Sequence, residues 1–286
     1  MFSKQIGRNM EVYIDDMLVK SKEEPTHLDD LRETFATLKQ YQMKLNPGKC
    51  VFGVALGKFL GFMVSQRGIE ANPEKGQAII NMASPKTVKE VQKLTGRIAA
   101  INRFVSRTTN KCLPFFKTLK QAFVWIDECE AAFQELKRYL SHPPFLSLST
   151  KGESLQLYLA MSATAVSVAL IREEDKKQLL VYYVSQAFQG VEFGYLKIKK
   201  IAFALIMASC KLRQYFQASP ILVMMDQPIR KSMNKPKAVG RMVQWAIELS
   251  QFDIEYHFIA KFTLPDEENL SPEAERWTIQ TDGSSA

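Results

Sequence analysis

Two adjacent aspartates, Asp15 and Asp16, close the run Tyr13-Ile14-Asp15-Asp16 and separate two short β-prone stretches, 10–14 and 17–20. Neighbouring carboxylates in a tight hairpin aim hard oxygen ligands at one place, which suits a divalent cation and a triphosphate. Nucleotidyl transfer uses two such ions, one to activate the attacking hydroxyl and one to steady the leaving oxygen. The same pair is also ordinary in turns, because Asx side chains bond their own backbone. On the tetrapeptide alone both readings stand. Other chemistry-bearing types are scattered: Cys50, Cys112, Cys129 and Cys210 form no C-x-x-C, and His27, His142 and His257 are too far away to complete a zinc knuckle. Buried reduced thiols in an intracellular protein are expected.

The elements that must position these residues follow from periodicity. After Pro25 the apolar positions Leu28, Leu31, Phe35 and Leu38 recur at helical spacing, which predicts an amphipathic helix. A turn at Asn46-Pro47-Gly48 precedes two strands expected at 50–54 and 59–65. From Pro73 to Ala122 the pattern is helical, with Pro85 and Pro114 as punctuation. Thr87 is the predicted N-cap of a long helix, with Glu90 completing a capping box. A helix over 127–140 ends at Pro143-Pro144. Three consecutive strands are expected over 155–162, 166–173 and 178–185. They are followed by a helix over 195–216, a strand over 221–225, a helix over 240–249 and a last strand over 253–258. Residues 263–275 are acidic and Pro-containing, a linker pattern, and 277–286 begins something new.

The chain has 286 residues, 46% hydrophobic and 24% charged, the composition of an ordinary globular protein. Its longest apolar run, 201–209, is too short to cross a bilayer, so no membrane role is expected. No secretory leader is visible at the start. A net charge of +8 fits a polyanionic partner, although many basic proteins bind none.

Longer stretches narrow the choice. Residues 11–22 (EVYIDDMLVKSK) resemble the YxDD palm hairpin of reverse transcriptases. Residues 45–54 (LNPGKCVFGV), 58–64 (KFLGFMV) and 68–73 (GIEANP) resemble the segment ending in the primer grip of gypsy-type LTR retrotransposon polymerases. Residues 85–104 (PKTVKEVQKLTGRIAAINRF) are similar to their thumb. The stretch from Phe115, with Trp125, Glu128, Cys129, Glu130 and Phe133, is similar to the tether before their ribonuclease H. The resemblance runs through nearly the whole chain in the family's order.

It implies an α+β chain: a reverse-transcriptase palm remnant and helical thumb, followed by an α/β RNase H-like domain. The implied divisions are palm end 1–72, thumb-like helices 73–122, tether 123–150, a degenerate RNase H-like domain 151–260, linker 261–276, and the start of a second RNase H at 277–286. Asp15 and Asp16 then occupy the family's hairpin aspartates, the candidate metal ligands, and Leu60 and Gly61 its primer-grip turn. Lys86, Lys89, Lys93, Arg97 and Arg103 fall on thumb helices that follow the minor groove of a template–primer duplex; a solvated helix face accounts equally well for any one of them. Trp125, Tyr215 and Trp245 read as core rather than stacking platforms. The family's third palm carboxylate, and its fingers, would precede Met1.

In active relatives the first strand of the nuclease carries T-D-A-S, but Leu159-Ala160-Met161-Ser162 puts Ala160 at the carboxylate position. The expected helix glutamate falls at Ile201, beside Lys199 and Lys200, and only Asp226 survives, read as a turn residue. The apolar replacements imply a site packed as core. In the tail, 277–285 (WTIQTDGSS) resembles the first strand of another RNase H, with Asp282 at its first metal-binding position. The family implies an RNA template and RNA–DNA hybrid as partners, Mg2+ as cofactor, and further fingers, RNase H and integrase of the same polyprotein. It also implies a cytoplasmic, particle-borne or nuclear setting. The expectation is a segment of RNA-directed DNA polymerase and ribonuclease H, inactive in isolation. The alternative is a non-catalytic nucleic-acid-binding fragment, or a relic without enzymatic role.

Overall fold

The computed structural model describes residues 1–21, 23–65, 67–120, 123–150, 152–225 and 241–258. It divides into two units, Met1–Leu148 and Ser149–Ala286. No helix among the described residues is long and apolar enough to cross a membrane.

The first unit begins with an antiparallel hairpin of β1 (Met10–Tyr13) and β2 (Asp16–Val19). Helix α1 (Glu24–Gln40) follows, with Pro25 in its first turn where a missing N–H costs nothing. Its apolar stripe is only partly used: Leu38 is buried, whereas Leu28 and Phe35 are exposed. Instead Thr34 enters the interior, where Gln5 donates to its hydroxyl. Strands β3 (Leu56–Phe59), β4 (Phe62–Ser65) and β5 (Gly68–Glu70) form an antiparallel meander. The strand expected at 50–54 is absent; the chain there is irregular and exposed at Val51, Phe52 and Val54.

The helical part holds α2 (Pro73–Ile80), α3 (Val88–Ala99), α4 (Thr108–Lys111), α5 (Leu113–Lys120) and α6 (Asp127–Ser141). Thr87 caps α3 by accepting from the Glu90 N–H at 3.3 Å. The reciprocal bond slips by one residue, because Glu90 accepts from the Lys86 N–H at 2.6 Å rather than from Thr87. Helix α3 buries Val91, Leu94 and Ile98 at the 3–4-residue spacing of one face, and packs on α2 and α5. Trp125 stacks on Phe115 at 5.7 Å and meets Phe133 edge-on at 6.0 Å, which makes it part of this core.

In the second unit β6 (Leu155–Met161), β7 (Ala165–Glu174), β8 (Lys177–Ala187), β9 (Ile221–Met225) and β10 (Ile254–Phe258) form one sheet. Its order is β10-β9-β6-β7-β8, antiparallel through β6-β7-β8 and parallel at β6-β9 and β9-β10. The helix expected over 195–216 is broken: α7 (Lys197–Lys211) stops at Leu212 and α8 (Arg213–Ala218) restarts. The break turns Phe216 under the sheet's core cluster. Helix α9 (Arg241–Leu249) packs on α7. The core joins Leu155, Leu157 and Leu159 of β6 to Ile201, Leu205 and Ala208 of α7.

The thiols divide differently from expectation. Cys112 and Cys129 are buried, and burial pushes the Cys112 thiol up to about 12. Cys210 is exposed and Cys50 half-buried. In the folded chain Cys112 should resist alkylation at pH 8 until denaturant is added, because only the thiolate reacts; labelling with iodoacetamide followed by peptide mapping checks this.

Candidate nucleic-acid interface and carboxylate hairpin

Asp15 and Asp16 lie at the exposed end of the β1–β2 hairpin. The two-residue loop is Ile14-Asp15, and Asp16 already pairs with Tyr13 as the first residue of β2, so the acids do not form the loop by themselves. Ile14 holds a left-handed φ of 51°, an uncommon state for a β-branched residue, and is 80% exposed. Such strain persists only where surrounding structure enforces it.

Enforcement comes from the base of the hairpin. Asn9 precedes β1 and Ser21 follows β2, and both side chains donate to the Asp30 carboxylate of α1, at 2.6 and 2.5 Å. Arg8 adds an ion pair to Glu33 one turn further along α1. The Ser21 and Asn9 hydrogen bonds hold the Asp30 carboxyl below its ordinary 3.8. A depressed carboxyl contributes stability above its unfolded pKa and loses it as pH falls through the lower folded value. Asp30→Ala should therefore cost about 1 kcal/mol at neutral pH, from losing the shorter hydrogen bonds of Asn9 and Ser21, which keep longer contacts to Glu33 and His27. That difference from the unmodified chain should shrink below about pH 4; urea titrations across pH measure it.

The β3–β4 turn carries Leu60 at φ 50° and Gly61 at φ 75°. Two consecutive left-handed residues define the hairpin turn whose twist suits flanking strands. The positive φ is what calls for Gly61; a Cβ there would stand 2.8 Å from the Lys75 ammonium, the end of a flexible side chain that can move aside. Lys75 lies 5.4 Å and the Arg103 guanidinium 4.8 Å from the Phe62 ring centroid.

On α3, Lys89 and Lys93 are exposed one turn apart on the same face, and Lys86 is exposed just before the helix. Gly96 is exposed two residues before the buried Ile98, and nothing lies within 4 Å of where its Cβ would stand. Arg97 departs from expectation. Its guanidinium donates to the Ala78 carbonyl at 2.5 Å, satisfying the last turn of α2, so it joins two helices instead of facing outward with the lysines.

In the second unit Ala160 lies near the end of β6 and Ile201 in α7, as the order of elements requires. Ile201 is 3% exposed and sits in the core cluster. Ala160 does not join it: β6 alternates, and Ala160 falls on the side of Gln156 and Tyr158, half-exposed opposite Ser167. One of the two replacements is therefore packed as core and the other is not. Asp226, the tail carrying Asp282, and the linker lie outside the described residues. The first turn of α7 offers Lys197, Lys199 and Lys200 and no acid, whereas a helix start favours negative charge.

Among the described residues no three His, Cys, Asp or Glu side chains gather closely enough to hold a metal ion. The hairpin pair has the right donor chemistry, but two carboxylates on one exposed turn do not enclose a cation. The residues sequence reasoning passed over are Asp30 and Lys75. Asp30 reads as one more acid on a polar helix face, and Lys75 meets Gly61 only through the fold.

A family model of reverse transcriptase (RNA-dependent DNA polymerase) matches residues 1–64, and one of the RNase H-like domain found in reverse transcriptase matches residues 125–223. The Pol polyprotein of transposon opus from Drosophila melanogaster is 25% identical over 88% of this chain. That of transposon 297 from the same organism is 25% identical over 98%, and the Tf2-3 polyprotein of Schizosaccharomyces pombe 24% identical over 86%. The chain spans 27%, 27% and 19% of those relatives' lengths. Two foamy viral protease-reverse transcriptase structures share its fold. One, in complex with an RNA/DNA hybrid, has a TM-score of 0.78 at 23% identity, covering 99% of this chain and 39% of that one. The other, in complex with double-stranded DNA, has a TM-score of 0.77 at 23% identity, covering 90% and 46%. The chain thus carries a reverse transcriptase segment and an RNase H-like domain of the reverse transcriptase type, and its homologues are the Pol polyproteins of transposons.

Proposed function

We propose that this chain is the part of a retrotransposon RNA-directed DNA polymerase that grips RNA template and RNA–DNA hybrid, and that it performs no chemistry by itself. The exposed, clamped Asp15–Asp16 hairpin tip within reverse transcriptase sequence carries the proposal. Both matched families use divalent metal. In the complete enzyme Asp15 and Asp16 supply two of the ligands for Mg2+, with the third carboxylate contributed from elsewhere in the polyprotein. Leu60 and Gly61 meet the primer strand, and Lys86, Lys89 and Lys93 meet phosphates. The RNase H-like domain acts as a connection, with Ile201 in core and Ala160 without a carboxylate.

Purified chain with an RNA template, DNA primer and Mg2+ or Mn2+ should give no extension. Templated incorporation that disappears in Asp15→Asn would refute the proposal. A second expectation concerns Gly96. Alanine there enters open space on a helix, so Gly96→Ala should stabilise the first unit by about 0.5–1 kcal/mol. The same change should weaken hybrid binding if the bare backbone is where the duplex comes closest. Thermal unfolding and hybrid titration, run on the same sample, read the two effects separately.

A further inference from the structure

We propose that the second unit carries its own binding site for a single-stranded nucleic-acid segment, built on Phe193, Lys199, Lys200 and Arg241. The proposal names a strand for the nucleic-acid reading given above and rests on it.

The site combines cations with aromatic rings on one side of α7. Lys199 lies 4.2 Å from the Tyr195 ring centroid and Lys200 4.7 Å from that of Phe188. Arg241 of α9 donates to the Tyr195 hydroxyl at 2.8 Å, which brings a third cation to the same cluster. Phe193 packs against Phe188 at 6.1 Å and an interplanar angle of 67°, so the ring's orientation is fixed while 52% of the residue stays exposed. A ring held on one side and free on the other is a stacking platform. The single acid of residues 189–200 is Glu192, and its carboxylate accepts from the Gln189 N–H at 2.8 Å.

Charge and composition choose the occupant. The flanking residues Val191 and Leu196 are 68% and 78% exposed, so the rim is apolar as well as basic. A protein interface of this apolar character would be depleted of lysine, and here lysines are interleaved with the rings. Cations tracking a backbone, with aromatics for bases, is the composition that takes up single strands irrespective of sequence. A duplex keeps its bases stacked on each other and cannot use Phe193.

The test is binding of the full chain to a fluorescein-labelled oligouridylate at several salt concentrations, with an RNA–DNA hybrid titrated in parallel. Phe193→Ala should weaken oligouridylate binding roughly tenfold, the loss of one stacked base at ~1–3 kcal/mol. Lys199→Gln with Lys200→Gln should reduce the log–log salt slope by about 1.4, at ~0.7 per phosphate on a single strand. Arg241→Gln, at an exposed position at the start of α9, gives the same direction should the double variant unfold. Photo-crosslinking with 5-bromouridine should map to residues 189–200. Unchanged oligouridylate affinity in Phe193→Ala and Arg241→Gln, or crosslinks confined to the first unit, would overturn the site. So would a change of oligomeric state in Phe193→Ala by light scattering with binding unaltered, which would mark a protein interface. The hybrid arm separates the two readings: hybrid binding with no oligouridylate effect removes this site alone, whereas loss of all binding removes the nucleic-acid reading with it.

Discussion

Gly68→Ala should lower the stability of the first unit by about 3–5 kcal/mol, combining left-handed backbone strain with forced overpacking. Gly68 has φ 141°, and a Cβ there would stand 2.1 Å from the Leu146 carbonyl oxygen and 2.9 Å from the Phe145 ring. Backbone cannot yield as a flexible side chain does. Next to it, Ile69 and Leu146 exchange both backbone hydrogen bonds, at 2.8 and 3.0 Å, tying β5 to the chain that follows α6. Relief of the clash would break that bridge and expose Leu146, which is 1% exposed. Urea unfolding followed by circular dichroism should show the lost midpoint. Gly53→Ala is the control in the same unit: its φ of 62° is also left-handed, yet nothing lies within 4 Å of its Cβ, so only the smaller conformational strain applies. Equal losses in the two variants would show that close packing at Gly68 is not what matters.

Ile201→Glu should destabilise the second unit by about 2–4 kcal/mol at neutral pH, the cost of burying a carboxylate without a partner. Ile201, at 3% exposure, shares a core cluster with Leu157, Leu159 and Leu205, and among the described residues no group of His, Cys, Asp or Glu gathers to hold a metal. Burial raises a carboxyl's pKa, so the penalty belongs to the charged form. The gap from the unmodified chain should accordingly narrow as pH falls from the raised folded-state value toward about 4.3, the ordinary glutamate value. Pairing it with Ala160→Asp tests whether a nuclease scaffold persists. Added Mn2+ should raise the melting temperature of the double variant if the two carboxylates meet, and leave it unchanged if Ala160 and Ile201 stay apart.

Much of this fold was legible from periodicity. The expected three strands over 155–185, helix from Tyr195, strand over 221–225 and helix over 240–249 stand in that order in the second unit; alternation at Leu155, Leu157 and Leu159 marks the buried face of β6, whereas β7 is buried on both faces over 165–171. Thr87 and Glu90 located the start of α3 within a residue. What failed was decided by tertiary contacts. Leu28 and Phe35 predict a buried stripe, yet both stay exposed; α1 meets the hairpin through Leu38, clustered with Met10, Val12, Met17 and Val19, and through the polar groups Asp30, Glu33 and Thr34. Cys50, Val51, Phe52 and Val54 have β propensity, but no strand is paired with them. At the site, the carboxylate pair and the Leu60–Gly61 turn were visible because turn chemistry is local. The inward bond of Arg97 to the Ala78 carbonyl was not legible, because a lysine-rich helix conceals which cation turns to a neighbouring helix. Tyr195 and Arg241 were invisible as partners because the fold, not the spacing, brings α9 to α7.

The most direct test is equilibrium titration of a labelled RNA–DNA hybrid with the full chain over a range of salt, beside Lys89→Gln with Lys93→Gln. Each phosphate contact contributes about −0.9 to the log–log salt slope on a B-form duplex, and a hybrid is treated as similar. Weak, salt-sensitive binding is expected, with the slope of the double variant shallower by about 1.8 and its unfolding midpoint unchanged. Absence of binding at low salt, or affinity that ignores both salt and the two lysines, would contradict a thumb-like grip on nucleic acid.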